Sequence, residues 1–333
     1  WVVAIATGGA AAYAAAPAIG GAFGAQVSTY SGAVATNYGL ALLGGGSLAN
    51  GGLGMAGGTL LISAVGGGLG GVMGASVTNA YVREDKSFGI EQLQDGEGVP
   101  VVVCNGFLNE GNNGWGEWQD IVTKRFPGSP VYRVNWGSKE LKNLGILAGF
   151  GAVKVAGSAA LKSAAMAATK AGAQRLGPLA PALAATSFAK NPWSVAKSRA
   201  DKTGVVLADI LARTNADSYV LIGHSLGARA IVVAAQALST KPKGPRVRSV
   251  HLLGAAIGAN GDWSSLAERV DDAVYNYHSA KDNVLKYVYK AAQAGQTAAG
   301  FSGFTANPEK LRNIDVSAQV AGHSDYHSNV TLL

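Results

Sequence analysis

The strongest constraint on how this chain folds lies at residues 218 to 238. An apolar run, Ser218 to Ile222, enters Gly223-His224-Ser225-Leu226-Gly227 and leaves as an Ala/Val-rich helix reaching Leu238. A G-x-S-x-G pattern between a strand and a helix puts its serine at the apex of a tight turn, where side chains at Gly223 or Gly227 would collide with the neighbouring helix and strand. The serine hydroxyl then stands at a helix N-terminus, where amide dipoles favour developing negative charge. The bare pattern arises by chance in a chain with 47 glycines. Its strand-turn-helix setting carries the inference, and that setting requires a sheet.

The flanking sequence supplies one. Val99 to Cys104 is a continuous apolar run, as expected of a parallel strand buried on both faces; a helix near Trp115 to Phe126 and a second strand, Val131 to Trp136, follow. Ser218 to Ile222 is the third strand, Val247 to Leu253 the fourth and Ala273 to Tyr277 the fifth. Strands alternating with helices predict an α/β domain over residues 99–333 with a mainly parallel sheet, its chemistry gathered at the carboxyl ends of the strands. Cys104 is the single cysteine and reads as a small buried strand residue, so no internal disulfide forms, and no Cys/His cluster has zinc spacing. With 48% hydrophobic and 14% charged residues the chain is the reverse of a disordered one.

A serine at neutral pH is a weak nucleophile and needs a histidine base oriented by a carboxylate, in the chain order serine, acid, histidine for this kind of turn. Asp282, in the loop after the fifth strand, is the expected acid. Asp262 is its rival, although Trp263 and a helix from Ser264 point to capping there. Of the five histidines, His224 lies inside the turn and is expected to pack, while His251 and His278 sit on core strands as structural residues. Only His323 and His327 follow Asp282. His323, in Gly322-His323-Ser324-Asp325-Tyr326, is taken as the base, with His327 as the alternative and Asp325 as a local capping or hydrogen-bonding residue. The oxyanion donors are expected to be the amides of Leu226, directly after the serine, and of Phe107 in the loop after the first strand, with Leu108 next. Asn105 is read as holding that loop through its side chain. This chemistry needs no metal and no cofactor.

Charge divides the chain in two. All 27 basic and 20 acidic residues come after position 82, and residues 1–82 form a Gly/Ala-rich segment beginning at Trp1 rather than at a methionine, which leaves an upstream segment and the compartment open. Gly66, Gly70 and Gly74, with pairs such as Gly67 and Gly71, Gly54 and Gly58, and Gly20 and Gly24, put bare stripes on helices that let backbones approach closely. Residues 2–25 and 53–77 are long enough to cross a bilayer, but Ala and Gly drive insertion weakly. Two arrangements follow: membrane association, or small helices packed on the next domain. Residues 83–98, charged and Gly-containing, read as a linker. At about 138–199 an Ala-rich insertion carries nine basic residues against one acid, Glu140, in a chain whose net charge is +7. That local excess suits a helical lid facing anionic lipid headgroups, or an ordinary solvated helical face; no motif for reading nucleic acid accompanies it.

Three motifs in order resemble the family of transmembrane and coiled-coil domain-containing proteins within the α/β-hydrolase superfamily. They are Asn191-Pro192-Trp193-Ser194 with Arg199-Ala200 and Gly204 to Ala208; Leu221 to Arg229 around Ser225; and Asn313-Ile314-Asp315-Val316 followed by Val320 to Tyr326. The likeness spans most of residues 99–333 and extends to the Ala/Gly-rich stretch before them. It implies an α/β-hydrolase fold with a lid-like insertion and a lipase-like serine hydrolase associated with membranes. It carries over Ser225, an aspartate after Tyr277-His278-Ser279 at Asp282, and His323 rather than His327 through the Gly-His-x-x-Tyr match.

The expected activity is therefore ester hydrolysis by Ser225, Asp282 and His323, on lipid or another hydrophobic ester at a membrane surface. The alternative is a membrane-embedded interaction or pore-forming protein, toxin-like, whose hydrolase-like domain is a scaffold.

Overall fold

The computed structural model describes residues 24–25, 32–43, 87–106, 114–136, 192–238, 244–260, 263, 266–267, 270–293, 295–305 and 308–333. These residues form an α/β fold around one seven-stranded sheet. Its strands are β1 (Gly89–Gln94), β2 (Val101–Cys104), β3 (Val131–Asn135), β4 (Ser218–His224), β5 (Arg246–Leu253), β6 (Val274–His278) and β7 (Leu311–Asp315), in the order β1-β3-β2-β4-β5-β6-β7. β1 runs antiparallel to β3 and every other pair is parallel. The chain leaves β2 toward β3 on one side and, after crossing back to β4, leaves toward β5 on the other. The carboxyl ends of β2 and β4 thus flank the point where strand order reverses, which is where open α/β sheets hold their ligands.

Alternate residues of the central strands feed two apolar layers. Val101 and Val103 of β2 join Val220 and Ile222 of β4 with Trp118, Ile121 and Val122 of the helix α2 (Gln119–Arg125). On the opposite face, Val102, Cys104 and Leu221 meet the helices α3 (Pro192–Leu211) and α4 (Leu226–Leu238). Continuous apolar runs fit strands covered on both sides. Burial pushes the Cys104 thiol up to about 12, so the lone cysteine is an inert packing residue.

Three elements depart from the expectations drawn from sequence. The stretch 83–98, read as a linker, contains β1, which hydrogen-bonds along β3 from Gly89 opposite Asn135 to Gln94 opposite Val131. Its sequence, Gly-Ile-Glu-Gln-Leu-Gln, is polar because an edge strand leaves much of its surface in water. β7 closes the other edge for the same reason and with a similarly mixed sequence. α3 starts at Pro192, inside the expected insertion, where the missing N–H of a first-turn proline costs nothing. It also claims Lys197 and Arg199, two of the nine cations assigned to the basic insertion; Lys197 is only 4% exposed. The remainder of that insertion, 138–191, lies outside the described residues, as do the glycine ladders at 54–74 and both apolar stretches of spanning length but for residues 24–25. Among the described residues no helix is long and apolar enough to cross a membrane.

One piece of the charge-free segment is described, the helix α1 (Gly32–Leu43). Leu40 and Ala35 are buried, and Leu40 belongs to the same apolar cluster as α3 and α4, with Tyr38 packed against it. Gly24 sits where any side chain would strike the Ala35 carbonyl, so two small-residue stretches cross at bare backbone. This part of the segment packs on the protein itself.

α3 and α4 are also joined by a buried ion pair. Arg229 Nε and Nη2 donate to the two carboxylate oxygens of Asp201 at 2.6 and 3.1 Å, with both side chains 1% exposed. Burial outweighs the arginine's pull and raises the Asp201 carboxyl above its ordinary value. Arg229→Met alone leaves that carboxylate buried without its partner, and a loss of about 3–5 kcal/mol is expected from urea unfolding; Asp201→Leu with Arg229→Met recovers most of it. Lys197, whose ammonium donates to Gln293 Oε1 at 3.1 Å, is driven down to about 7 by burial, then by Arg229. Its folded value lies below its unfolded one, so the unfolded state binds the extra proton between about 7 and 10.5 and this residue's penalty fades as pH rises through that window. Lys197→Met is expected to stabilise the protein at pH 6 and to lose that advantage by pH 10, followed by urea midpoints.

Candidate active site

β4 ends in a turn that the backbone tolerates only under constraint. Ser225 has φ 57 and is the one non-glycine residue with positive φ among those described. Its N–H donates to the Leu253 carbonyl at 3.0 Å, and its own carbonyl accepts the Ala256 N–H at 3.2 Å. A Cβ on Gly223 would come within 2.6 Å of the Ala228 nitrogen, and one on Gly227 would strike the carbonyls of Cys104 and Asn105. The helix therefore starts directly on the ends of the strands, with Leu226 as its first residue. The Leu226 amide is one of the four that a helix leaves without an intrahelical acceptor.

Three segments converge on this turn. The Ser225 hydroxyl donates to His323 Nε2 at 2.8 Å, and His323 Nδ1–H donates to Asp282 Oδ2 at 2.7 Å. Those partners set the tautomer: the nitrogen facing the carboxylate carries the proton, and the one facing the serine is bare. Ser225 is 5% exposed, the His323 side chain 15% and the Asp282 side chain fully buried, so the line runs from the protein interior to a site that solvent just reaches. Asp282 also accepts the Leu285 N–H on Oδ1 at 3.0 Å. The Tyr326 hydroxyl lies 3.3 Å from Asp282 Oδ2 and 3.2 Å from the Gly300 carbonyl, which share its proton. Burial and then the Asp282 carboxylate raise the Tyr326 phenol far above its ordinary value, which keeps it a donor. Asp282 opens a π-helical turn, Val284–Tyr289, a form often found at functional sites. Ser279 Oγ donates to the Val320 carbonyl at 2.7 Å, and Ser317 Oγ accepts the Ala280 N–H at 2.9 Å, which fastens the aspartate loop to the segment leading into His323.

The loop after β2 is anchored by two indoles. Trp118 Nε1–H donates to Asn105 Oδ1 at 2.7 Å and Trp136 Nε1–H donates to the Asn105 carbonyl at 2.9 Å. Gly106 follows, so close that a Cβ there would lie 2.6 Å from Ser225 Cβ. Phe107 and Leu108, expected to supply the second oxyanion amide, lie outside the described residues, as does Asp262.

The other histidines are elsewhere occupied. His327 sits 3.4 Å from Glu117 and edge-on to Trp118, with ring centroids 4.4 Å apart. His251 is buried between Ser249 and Tyr277, and burial pushes it down to about 3. His278 ends β6, with burial lowering its value. His224 does pack inside the turn, but it also makes a bond that sequence reasoning missed: its Nε2–H donates to the His323 carbonyl at 2.9 Å. No local signal announces a contact between residues 99 positions apart. No group of three or more His, Cys, Asp or Glu among the described residues is arranged to hold a metal.

The chain is similar to several known proteins. The transmembrane and coiled-coil domain-containing protein STS1 of Oryza sativa is 37% identical over 151 residues, which is 44% of this chain and 22% of that protein. An uncharacterized membrane protein of Schizosaccharomyces pombe is 27% identical over 283 residues, 80% of this chain and 47% of its own length. The "Probable lipase MIL1" of Saccharomyces cerevisiae is 32% identical over 146 residues, 43% of this chain and 14% of that protein. The chain thus spans less than half the length of these curated relatives. Among solved structures, acetyl xylan esterase 1 of a Thermoanaerobacterium species aligns over 75% of this chain and 88% of its own, at 12% identity and a TM-score of 0.35. Residues 2–333, nearly the entire chain, match the family described as Protein of unknown function (DUF726), and the protein belongs to that family.

Proposed function

We propose that this protein is a serine hydrolase of the α/β-hydrolase superfamily that cleaves carboxylic esters, with lipid or another hydrophobic ester as substrate. The observation that carries the reading is the hydrogen-bonded line from Ser225 through His323 to Asp282, set at the carboxyl ends of parallel strands. The lipase name of one relative supports the ester class. Ser225 Oγ attacks the carbonyl carbon while His323 Nε2 takes its proton, giving an acyl-enzyme; His323 returns that proton to the leaving alcohol. Water then repeats the sequence and releases the acid. Asp282 keeps His323 in the required tautomer and stabilises the imidazolium that forms. The amides of Leu226 and Phe107 hold the oxyanion, each such donor being worth about 3–4 kcal/mol in reactions of this type.

The membrane names of relatives support a reaction at a lipid surface, met through parts of the charge-free segment and the basic stretch 138–191. In this reading the catalytic domain extends from the expected 99–333 back to β1, which is part of its sheet rather than of a linker.

Fluorophosphonate labelling tests the proposal. Wild-type protein is expected to label, Ser225→Ala not at all, and Asp282→Asn to hydrolyse p-nitrophenyl esters about 10⁴-fold more slowly because the histidine then takes the wrong tautomer. A wild-type chain that resists labelling yet still makes liposomes leak would sink the hydrolase reading and leave the pore-forming one.

A further inference from the structure

We infer that His224 is a positioning residue that holds the His323 segment in register with the nucleophile, a role that rests on the hydrolase reading. It is the last residue of β4, a strand paired on both sides, with Val103 opposite Ile222 and Leu253 opposite His224 itself. Its backbone is therefore among the most firmly placed in the sheet, and the next residue is Ser225. From that position its Nε2–H reaches the His323 carbonyl at 2.9 Å.

Three bonds thus hold His323. The Ser225 to His323 bond breaks and reforms as the proton moves, and the His323 to Asp282 bond changes charge with it. The bond from His224 to the His323 backbone involves no atom that gains or loses a proton. It fixes where the imidazole pivots while the other two change. Residues 316–325 include no strand beyond β7 to do this work.

The imidazole also touches the third side of the site. A Cβ on Gly106 would come 3.3 Å from His224 Nδ1, so the ring is wedged between the loop after β2 and the His323 segment. Its centroid lies 5.0 Å from that of His323, 5.8 Å from Tyr326 and 4.8 Å from His327. Burial, then His327 and His323, hold His224 well below the ordinary histidine value. The neutral ring has a single N–H, and the carbonyl takes it. Neutrality also keeps a second positive charge away from the imidazolium that His323 becomes.

Two substitutions in the full chain separate this role from simple packing. His224→Phe keeps a flat ring and removes the donor, whereas His224→Gln restores a side-chain N–H. Turnover of p-nitrophenyl butyrate is read as kcat and KM, folding as the urea midpoint, and the site itself as the low-field proton resonance of His323 Nδ1–H. His224→Phe is expected to lower kcat about 10²-fold, the usual consequence of a misplaced catalytic group, with KM nearly unchanged and the low-field resonance broadened or lost. His224→Gln is expected to regain at least about tenfold of that kcat and to restore the resonance. A phenylalanine variant with wild-type kcat overturns the proposal, as does a glutamine variant impaired as deeply as the phenylalanine one. If His224→Phe does not fold, the glutamine variant decides alone: kcat or the resonance as deeply lost as on removing His323 overturns the role. Wild-type protein that is neither labelled by fluorophosphonate nor active overturns the hydrolase reading, a different failure, and the resonance in the two variants still reports whether His224 orders the His323 segment.

Discussion

The structure depends on one close approach, the start of α4 against the carbonyl ends of β2. Gly227 makes it sterically feasible, and no other residue type fits against the Cys104 and Asn105 carbonyls. The approach leaves Ser225 no ordinary conformation, so it occupies the left-handed region, a strain of about 1–3 kcal/mol that surrounding structure must offset. The offset is visible. Leu253 and Ala256 bond the serine backbone, the Arg229–Asp201 pair locks α4 to α3 one turn later, and the two tryptophans hold Asn105 by its side chain and its carbonyl. Relaxing any of these would let the turn revert and draw the hydroxyl out of line.

The other half of the site is built by different means. Asp282 and His323 stand on loops rather than on regular elements, and loops are ordinarily the less accurate platform. Cross-links compensate: Ser279 to Val320, Ser317 to Ala280, and Tyr326 between Asp282 and Gly300. Full burial of Asp282 raises the electrostatic value of every bond it accepts, because little water screens them. The serine side is thus fixed by steric exclusion and the histidine side by a mesh of hydrogen bonds, and His224 is where the two meet.

What could be read from sequence follows burial. β2 and β4 are covered on both faces and announce themselves as apolar runs, while β1 and β7 are edge strands whose polar residues hide them among charged sequence. The expectation for Ser225 rests on a local pattern and that for Asp282 on the order of chain segments after it; that order leaves both His323 and His327, and the structure brings His323 to Ser225. The bond from His224 was not, since it joins distant segments through a backbone atom that every residue possesses. Lys197 shows the converse limit: counting charge assigned it to a basic insertion facing lipid headgroups or water, yet its helix carries it into the interior beside Arg229 and Asp201. Residue type records charge; only the fold decides whether water reaches it.

The docking of α1 on α3 has a temporal consequence. Among the described residues, the Leu40 face of α1 shares its apolar cluster with α3, which is made about 150 residues later and so, at ribosomal rates of about 5–20 residues per second, roughly 8–30 s later. During that interval the Leu40 face of α1 is without the α3 surface on which it packs in the fold. It is open to capture by chaperones or by a bilayer before the protein's own core exists to receive it. The docking of α1 is then a race between folding and capture, in which the speed of synthesis counts beside the affinity of either surface.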